Sequence, residues 1–182
     1  SEVDELKRRL DEHAKDIRDK LRKLVKELRE HAKRAEDELR RLLKENEDNA
    51  REIRELVKTL RDDKDKIEEL IKHHKKLSED SEREIKRLIE DHKRLLEEVE
   101  ERIRRLIEDH KRLLEDVARK IRDEKTLRDI KRAVEKSIRD LERILEELRK
   151  EVEDTIKRLE DILREIRKRN KDVIDDLRRR MK

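Results

Sequence analysis

The sequence predicts an all-α protein, an antiparallel up-down-up bundle of three nearly straight helices. Each helix is expected to have about 60 residues, which is roughly 90 Å of α-helix. Three observations predict this class. The 182 residues include no Gly and no Pro, so the strongest helix breakers are absent. Charged residues make up 60% of the chain, but 57 basic and 53 acidic side chains almost balance, whereas disorder of this composition usually requires a large net charge. Finally, the apolar residues recur in an 18-residue repeat.

The repeat is clearest in two consecutive blocks, 85–102 and 103–120. They read IKRLIEDHKRLLEEVEER and IRRLIEDHKRLLEDVARK and are identical at thirteen of eighteen positions. Such a repeat makes five whole turns of an α-helix, whereas heptads give a left-handed supercoil and 11-residue repeats a right-handed one. The period therefore predicts helices with almost no supercoil. Leucines 6, 24 and 42, and isoleucines 138, 156 and 174, keep the same spacing elsewhere.

The first helix is predicted over residues 2–61, because the apolar stripe first loses its phase at Arg61–Asp65. The polar cluster around Asn46 and Asn49 does not interrupt it. Both asparagines occupy stripe positions that carry Leu or His in the neighbouring repeats. We therefore interpret them as polar residues at core positions of a continuous helix.

The second helix is predicted over residues 66–123. Asp65 followed by Glu68 resembles a capping box at its start. Ser78 and Ser81 lie on the stripe, where the next two repeats carry Leu and Val. They are again interpreted as core positions.

The third helix is predicted over residues 127–181, after a second loss of phase at residues 123–126. Thr126 followed by Asp129 is a weaker form of the same capping motif. Short turns between long helices make neighbouring helices antiparallel. The sequence thus predicts one domain over residues 1–182 and a monomer, with a swapped dimer as the competing arrangement because turns without Gly are stiff.

Histidines coincide with the levels at which the three helices should meet. In an antiparallel pair, residues at one level have a constant sum of sequence numbers. For the histidine levels that sum is 123 between helices 1 and 2 and 247 between helices 2 and 3; for a neighbouring level with Asn46, Ser78 and Asn170 it is 124 and 248. Each sum is within one turn of the value that the turns predict. The predicted buried layers are His13/His110/Ser137, His31/His92/Thr155, Asn49/His74/Val173 and Asn46/Ser78/Asn170.

These layers are predicted to specify the pairing of the helices. A buried polar group without a partner costs about 1–3 kcal/mol, so polar residues at matching heights indicate hydrogen-bonded networks. A shift of one helix by a whole repeat would otherwise preserve much of the packing, and the polar layers penalise it. His73, next to His74 but off the stripe, is predicted to be exposed and without a role.

The composition excludes several functional classes. Without aromatic residues there is no stacking platform for single-stranded nucleic acid, and without Cys there is no thiolate chemistry or cysteine zinc site. Without Gly there is no phosphate loop and no nucleophile elbow. No apolar run approaches the roughly 20 residues of a membrane span. The sequence therefore predicts a soluble protein that is not an enzyme and has no cofactor, nucleic-acid partner or membrane partner. It predicts no cellular location.

Two other roles of the histidines remain open at this point. Imidazoles from facing helices can bind zinc, copper or cobalt, although each layer offers two His and a hydroxyl where a structural zinc site uses four strong ligands. No metal ligand set is assigned for this reason. The second role is a pH response, because burial disfavours the charged imidazolium and lowers the pKa of histidine.

With its IEDHKRLLE blocks, its stripe of Leu, Ile and Val and its Glu/Lys/Arg surface, the chain resembles parametrically designed helical bundles along its whole length. The closest resemblance is to untwisted antiparallel three-helix bundles with an 18-residue repeat. This resemblance implies a monomeric, very stable scaffold without natural activity or partner. It also implies that buried networks containing His are a deliberate device. The chain departs from an all-apolar core at the layers given above.

Overall fold

The structure is a computed structural model that describes residues 1–60 and 63–181. Within these residues it consists of three α-helices: α1 is Glu2–Leu60, α2 is Lys64–Lys120 and α3 is Glu124–Arg180. The predicted all-α, three-helix class is confirmed. The predicted end of the first helix, at Arg61 and Asp62, lies outside the described residues. In the described part of the chain, no helix is apolar over enough residues to cross a membrane.

Helix α2 begins two residues before its predicted start. Asp63 is its N-cap, because Oδ1 of Asp63 accepts a hydrogen bond from the backbone N–H of Lys66 at 3.3 Å. The predicted capping box at Asp65 is therefore wrong. Asp63 offers the same type of carboxylate two positions earlier. The helix therefore begins directly after Asp63, which provides an acceptor for a free backbone amide of the first turn.

Helix α3 begins in the same way. Oδ2 of Asp123 accepts hydrogen bonds from the backbone N–H of Thr126 at 3.3 Å and from its hydroxyl at 2.5 Å. The hydroxyl of Thr126, together with the backbone amides, holds the pKa of the Asp123 carboxyl below its usual value. The predicted N-cap, Thr126, is therefore wrong: Asp123 is the N-cap, and Thr126 donates hydrogen bonds to it. Helix α2 ends at Lys120, three residues before its predicted end.

Contacts divide the chain into two compact units, and each unit contains part of all three helices. The first unit is Ser1–Glu30 with Lys93–Glu153, and the second is His31–His92 with Asp154–Lys182. Each has an interior of buried Leu, Ile and Val side chains, as the apolar stripes predict. The single domain over residues 1–182 and the straightness of the helices stay predictions.

Ion pairs between α1 and α3 show that these two helices run in the same direction. In the second unit, three pairs join α1 to α3, and a fourth joins them in the first unit; in every pair the partners are 122 positions apart in sequence. Because the spacing is constant, α1 and α3 are parallel. Exposed ion pairs contribute little stability, but these pairs show which residues of α1 and α3 lie at the same level. The pairs are Glu36–Arg158 at 2.8 Å, Glu47–Arg169, Arg54–Asp176 at 3.8 Å and, in the first unit, Arg29–Glu151 at 3.2 Å.

Helix α2 is antiparallel to the other two. In the second unit, His31 and Asn49 of α1 contact His92 and His74 of α2, respectively, so one sequence number rises as the other falls. Glu82 of α2 pairs with Arg167 of α3 at 3.2 Å. The up-down-up order follows from these contacts.

The core of the second unit contains two apolar clusters. The first includes Leu39, Ile85 and Leu159, and the second includes Ile71 and Leu177. Between these clusters, the inward-facing residues of each helix are polar, and they are buried or partly buried. The interior of this unit is therefore apolar, then polar, then apolar along the bundle.

Candidate functional site

The first feature of the candidate site is a pair of facing histidines that occurs once in each unit. In the first unit, Nδ1 of His13 lies 2.8 Å from Nδ1 of His110. In the second, Nδ1 of His31 lies 2.9 Å from Nδ1 of His92. His92 and His110 are each only 1% exposed, whereas His13 and His31 are partly exposed. Each pair thus has an inner ring on α2 and an outer ring on α1.

The rings of each pair lie end to end. Their planes differ by 13° in the first pair and 8° in the second, and their centroids are 5.0 and 5.1 Å apart. These separations nearly equal the distance between the nitrogens plus the radii of two imidazole rings. The two Nδ1 atoms therefore point at each other within almost one plane, which is the geometry of a straight N–H···N hydrogen bond and not of face-to-face stacking.

The hydroxyl expected to complete each layer does not bond to the imidazole. Among the described residues Ser137 has no hydrogen-bond partner. The hydroxyl of Thr155 accepts a hydrogen bond from Arg158 at 3.3 Å, and Nε2 of His92 is buried with no partner. The short Ser and Thr side chains of α3 do not reach the inner ring, so the predicted triads are pairs with a nearby hydroxyl.

The second feature is a continuous network in the second unit. Nδ2 of Asn49 donates to Nδ1 of His74 at 2.8 Å, and Nε2 of His74 donates to Oδ1 of Asn170 at 2.9 Å. Nδ2 of Asn170 donates in turn to Oδ1 of Asn46 and to Oγ of Ser78, both at 2.9 Å. These hydrogen bonds join all three helices, and along the network each side chain donates to the next one.

The network ends on α1 and α2. Nδ2 of Asn46 donates to the backbone carbonyl of Leu42 at 2.7 Å and to Oγ of Ser81 at 2.9 Å. Both amide hydrogens of Asn46 and of Asn170 are therefore used. His74 is fully buried, and Asn46, Ser81 and Asn170 are at most 4% exposed. Such groups are stable in an interior only when their hydrogen bonds are made.

The network differs from the two separate layers that the sequence predicts. His74 bonds to Asn170, while Val173, which was assigned to the level of His74, packs in the neighbouring apolar cluster. The two layers are thus one network, because an imidazole and an amide are long enough to span a helical turn. Ser81 was not assigned to a layer. The sequence does contain a signal for Ser81, because Ser81 stands where the next two repeats carry Val.

Burial is the main electrostatic influence on these histidines. It lowers the pKa of His92 to about 4, with a further lowering by the facing His31. Burial also lowers the pKa of His31, His74 and His110. For His74, the hydrogen bond to Asn170 partly opposes this effect. The inner imidazoles are therefore neutral near pH 7. His73, by contrast, is exposed, as predicted.

The site does not assemble a conventional metal centre. Over residues 1–60 and 63–181, no group of three or more His, Cys, Asp or Glu side chains is placed to hold an ion. In each histidine pair, the two Nδ1 atoms already face each other at hydrogen-bond distance. The arrangement can hold and transfer protons within a pair, and it can fix the relative position of helices.

The comparison with solved structures finds a similar helical bundle. A structure described as a "Computationally designed three helix bundle" aligns with 99% of this chain and 87% of its own, at 22% sequence identity and a TM-score of 0.40. No protein-family model and no curated protein sequence matches the chain.

Proposed function

We propose that this chain is a designed, monomeric structural scaffold without natural biochemical activity, in which the buried polar networks specify the pairing and register of the helices. The observation that carries the proposal is the network in the second unit. It joins all three helices and satisfies both amide hydrogens of Asn46 and Asn170. It does so at positions where the other repeats carry Leu or Val.

The native register competes with registers in which one helix is shifted along the others. A shift of one helix by a whole repeat places one block against another, so Leu, Ile and Val still meet Leu, Ile and Val. The same shift moves Asn46 or Asn170 against apolar side chains. Each stranded polar group costs about 1–3 kcal/mol, and several are stranded together. The network thus separates the native register from a competitor that apolar packing alone hardly distinguishes.

The regularity of the sequence supports the design origin. Two consecutive repeats are identical at thirteen of eighteen positions, and Gly, Pro and aromatic residues are all absent from the chain. Natural domains average about 7% Gly and about 5% Pro.

The test converts the third repeat into a copy of the others. The variant combines Asn46→Leu, Asn49→His, Ser78→Leu, Ser81→Val and Asn170→Val, each the residue found one repeat away along the same helix. We expect full helicity and an equal or higher melting temperature, because apolar packing replaces polar contacts. We also expect several sets of backbone amide peaks by NMR, or dimers by native mass spectrometry, as registers compete.

The matched control is Asn49→His alone. It keeps the bonds that join Asn46, Ser78, Ser81 and Asn170, so it should give one set of peaks and a monomeric mass. If the five-residue variant also gives one set of peaks and a monomer, the networks do not specify register.

A pH response is a second candidate function, and the lowered pKa values of the buried histidines favour it. Protonation would place a charge where the structure holds a neutral ring. This role is compatible with the first, since one network can specify register at neutral pH and weaken in acid.

A further inference from the structure

The first unit contains a groove that the proposed scaffold role does not use. It lies between α1 and α3, has a volume of about 230 Å³, and has Leu10, Ala14, Val134 and Ser137 among its lining residues. The imidazole of His110, on α2, also lines it. A cavity of about 150 Å³ can hold benzene when its walls are apolar, so this groove is large enough for a substituted benzene ring.

The 18-residue repeat shows how this level differs from the next one along the bundle. One repeat further along, Arg29 and Glu151 form an ion pair that joins α1 to α3. The corresponding residues at the groove are Asp11 and Ala133, and the methyl group of Ala133 cannot reach across. Ala14 is also small. The two parallel helices are therefore not bridged at this level, and the space between them extends inward to His110.

Two polar groups of the groove have unused hydrogen-bonding capacity. His110 spends Nδ1 on His13, and its Nε2 has no partner among the described residues although the side chain is only 1% exposed. The hydroxyl of Ser137 likewise makes no hydrogen bond within the described chain. When His110 donates from Nδ1 to His13, its Nε2 is an acceptor, and Ser137 can donate. One ligand hydroxyl can satisfy both.

The charges at the groove select against an anion. Lys7, Asp11 and Asp129 line it, so acidic groups outnumber the ammonium. The ammonium of Lys7 makes no ion pair among the residues described. An ammonium near the face of an aromatic ring is attracted to it.

We propose that this groove binds small, neutral aromatic alcohols such as phenol. The ring lies between Ala14 and Ala133, and the hydroxyl donates to Nε2 of His110 and accepts from the hydroxyl of Ser137. The site is distinct from the network in the second unit and independent of the role proposed for it.

The test is a titration of the full chain with phenol, followed through the methyl signals of Leu10, Ile130 and Val134 by NMR. Toluene has the shape of phenol without the hydroxyl, and cyclohexanol has the hydroxyl without the aromatic face. We expect phenol to bind about tenfold more tightly than toluene, as one or two net hydrogen bonds allow, and more tightly than cyclohexanol. Equal binding of phenol and toluene, or tighter binding of cyclohexanol, would overturn the proposal.

Two variants and a matched control locate the site. Ala14→Leu should fill the groove and abolish the phenol-induced shifts, while Ala32→Leu, the same change one repeat away, should leave them intact. Ser137→Ala should weaken phenol severalfold and leave toluene unchanged, and it removes only an unpaired hydroxyl, so the fold is retained. Phenol shifts that persist in Ala14→Leu, or a phenol affinity unchanged in Ser137→Ala, would contradict this site.

Discussion

At the scale of the residue, the histidines differ in which nitrogen carries the proton. His74 accepts at Nδ1 from Asn49 and donates from Nε2 to Asn170, so the network assigns it the Nε2–H form. His92 faces the opposite constraint. Its Nε2 is buried without a partner, and buried N–H groups without an acceptor are rarer than buried acceptors without a donor. The proton of His92 therefore belongs on Nδ1, shared with His31.

This assignment predicts two different tautomers inside one unit. In ¹⁵N NMR spectra of the histidine rings at pH 7.5, His74 should show a protonated Nε2, and His92 a protonated Nδ1. The exposed His73 is the internal control, because no hydrogen bond within the described chain selects one of its tautomers. If His92 shows a protonated Nε2, its inner nitrogen has an acceptor, and the proton is not shared between the paired rings.

Only part of such a site can be predicted from the sequence. The sums of sequence numbers predicted that His13 faces His110 and that Asn49 faces His74, because sequence numbers determine levels in an antiparallel pair. They did not reveal that His74 would bond to Asn170 and leave Val173 to the apolar cluster. That choice depends on side-chain length and rotamer, which periodicity does not encode. Tautomers depend on the partners thus chosen and are one step further from the sequence.

At the scale of the element, the helix starts depend on single carboxylates. Asp65 precedes the apolar stripe of α2 and resembles a cap in sequence. The structure uses Asp63, and uses Asp123 for α3. The 18-residue stripe predicted the existence and type of all three helices, since that signal extends over many turns. It could not predict the starting residue, because each start depends on one local hydrogen bond.

The two candidate caps of α2 can be distinguished directly. Asp63→Ala removes the acceptor for the Lys66 amide and should lower the free energy of unfolding by about 1 kcal/mol. Asp65→Ala removes only a favourable charge in the first turn and should have a smaller effect. Urea denaturation followed by circular dichroism measures both. Equal losses in the two variants would mean that Asp63 does not act as the cap in solution.

At the scale of the whole molecule, stability combines apolar burial with polar groups that acid can charge. The apolar stripes supply most of the driving force, while the networks make one arrangement better than its shifted copies. The same networks link folding to pH. Unfolded histidines have a pKa of about 6.5, and the folded values of His31, His74, His92 and His110 are lower. The unfolded chain therefore binds more protons in acid.

The sign of this linkage predicts the pH range over which stability is lost. Because the folded pKa of His92 is about 4, its contribution is complete above pH 6.5 and is lost progressively as the pH falls from 6.5 to 4. A shift of this size corresponds to at most roughly 3 kcal/mol. The double variant His31→Leu/His92→Leu should reduce the pH dependence of the unfolding free energy in this range. His73→Leu, which removes an exposed imidazole, should keep it.

Guanidinium denaturation at several pH values from 7.5 to 4 provides the measurement. Asp and Glu side chains also titrate toward the lower end, but they do so in the parent chain and in both variants, so the comparison isolates the imidazoles. The dependence should flatten as the pH approaches 4, because the imidazole of His92 begins to bind a proton in the folded state there. Identical pH profiles for the double variant and His73→Leu would show that the buried pair is not linked to folding.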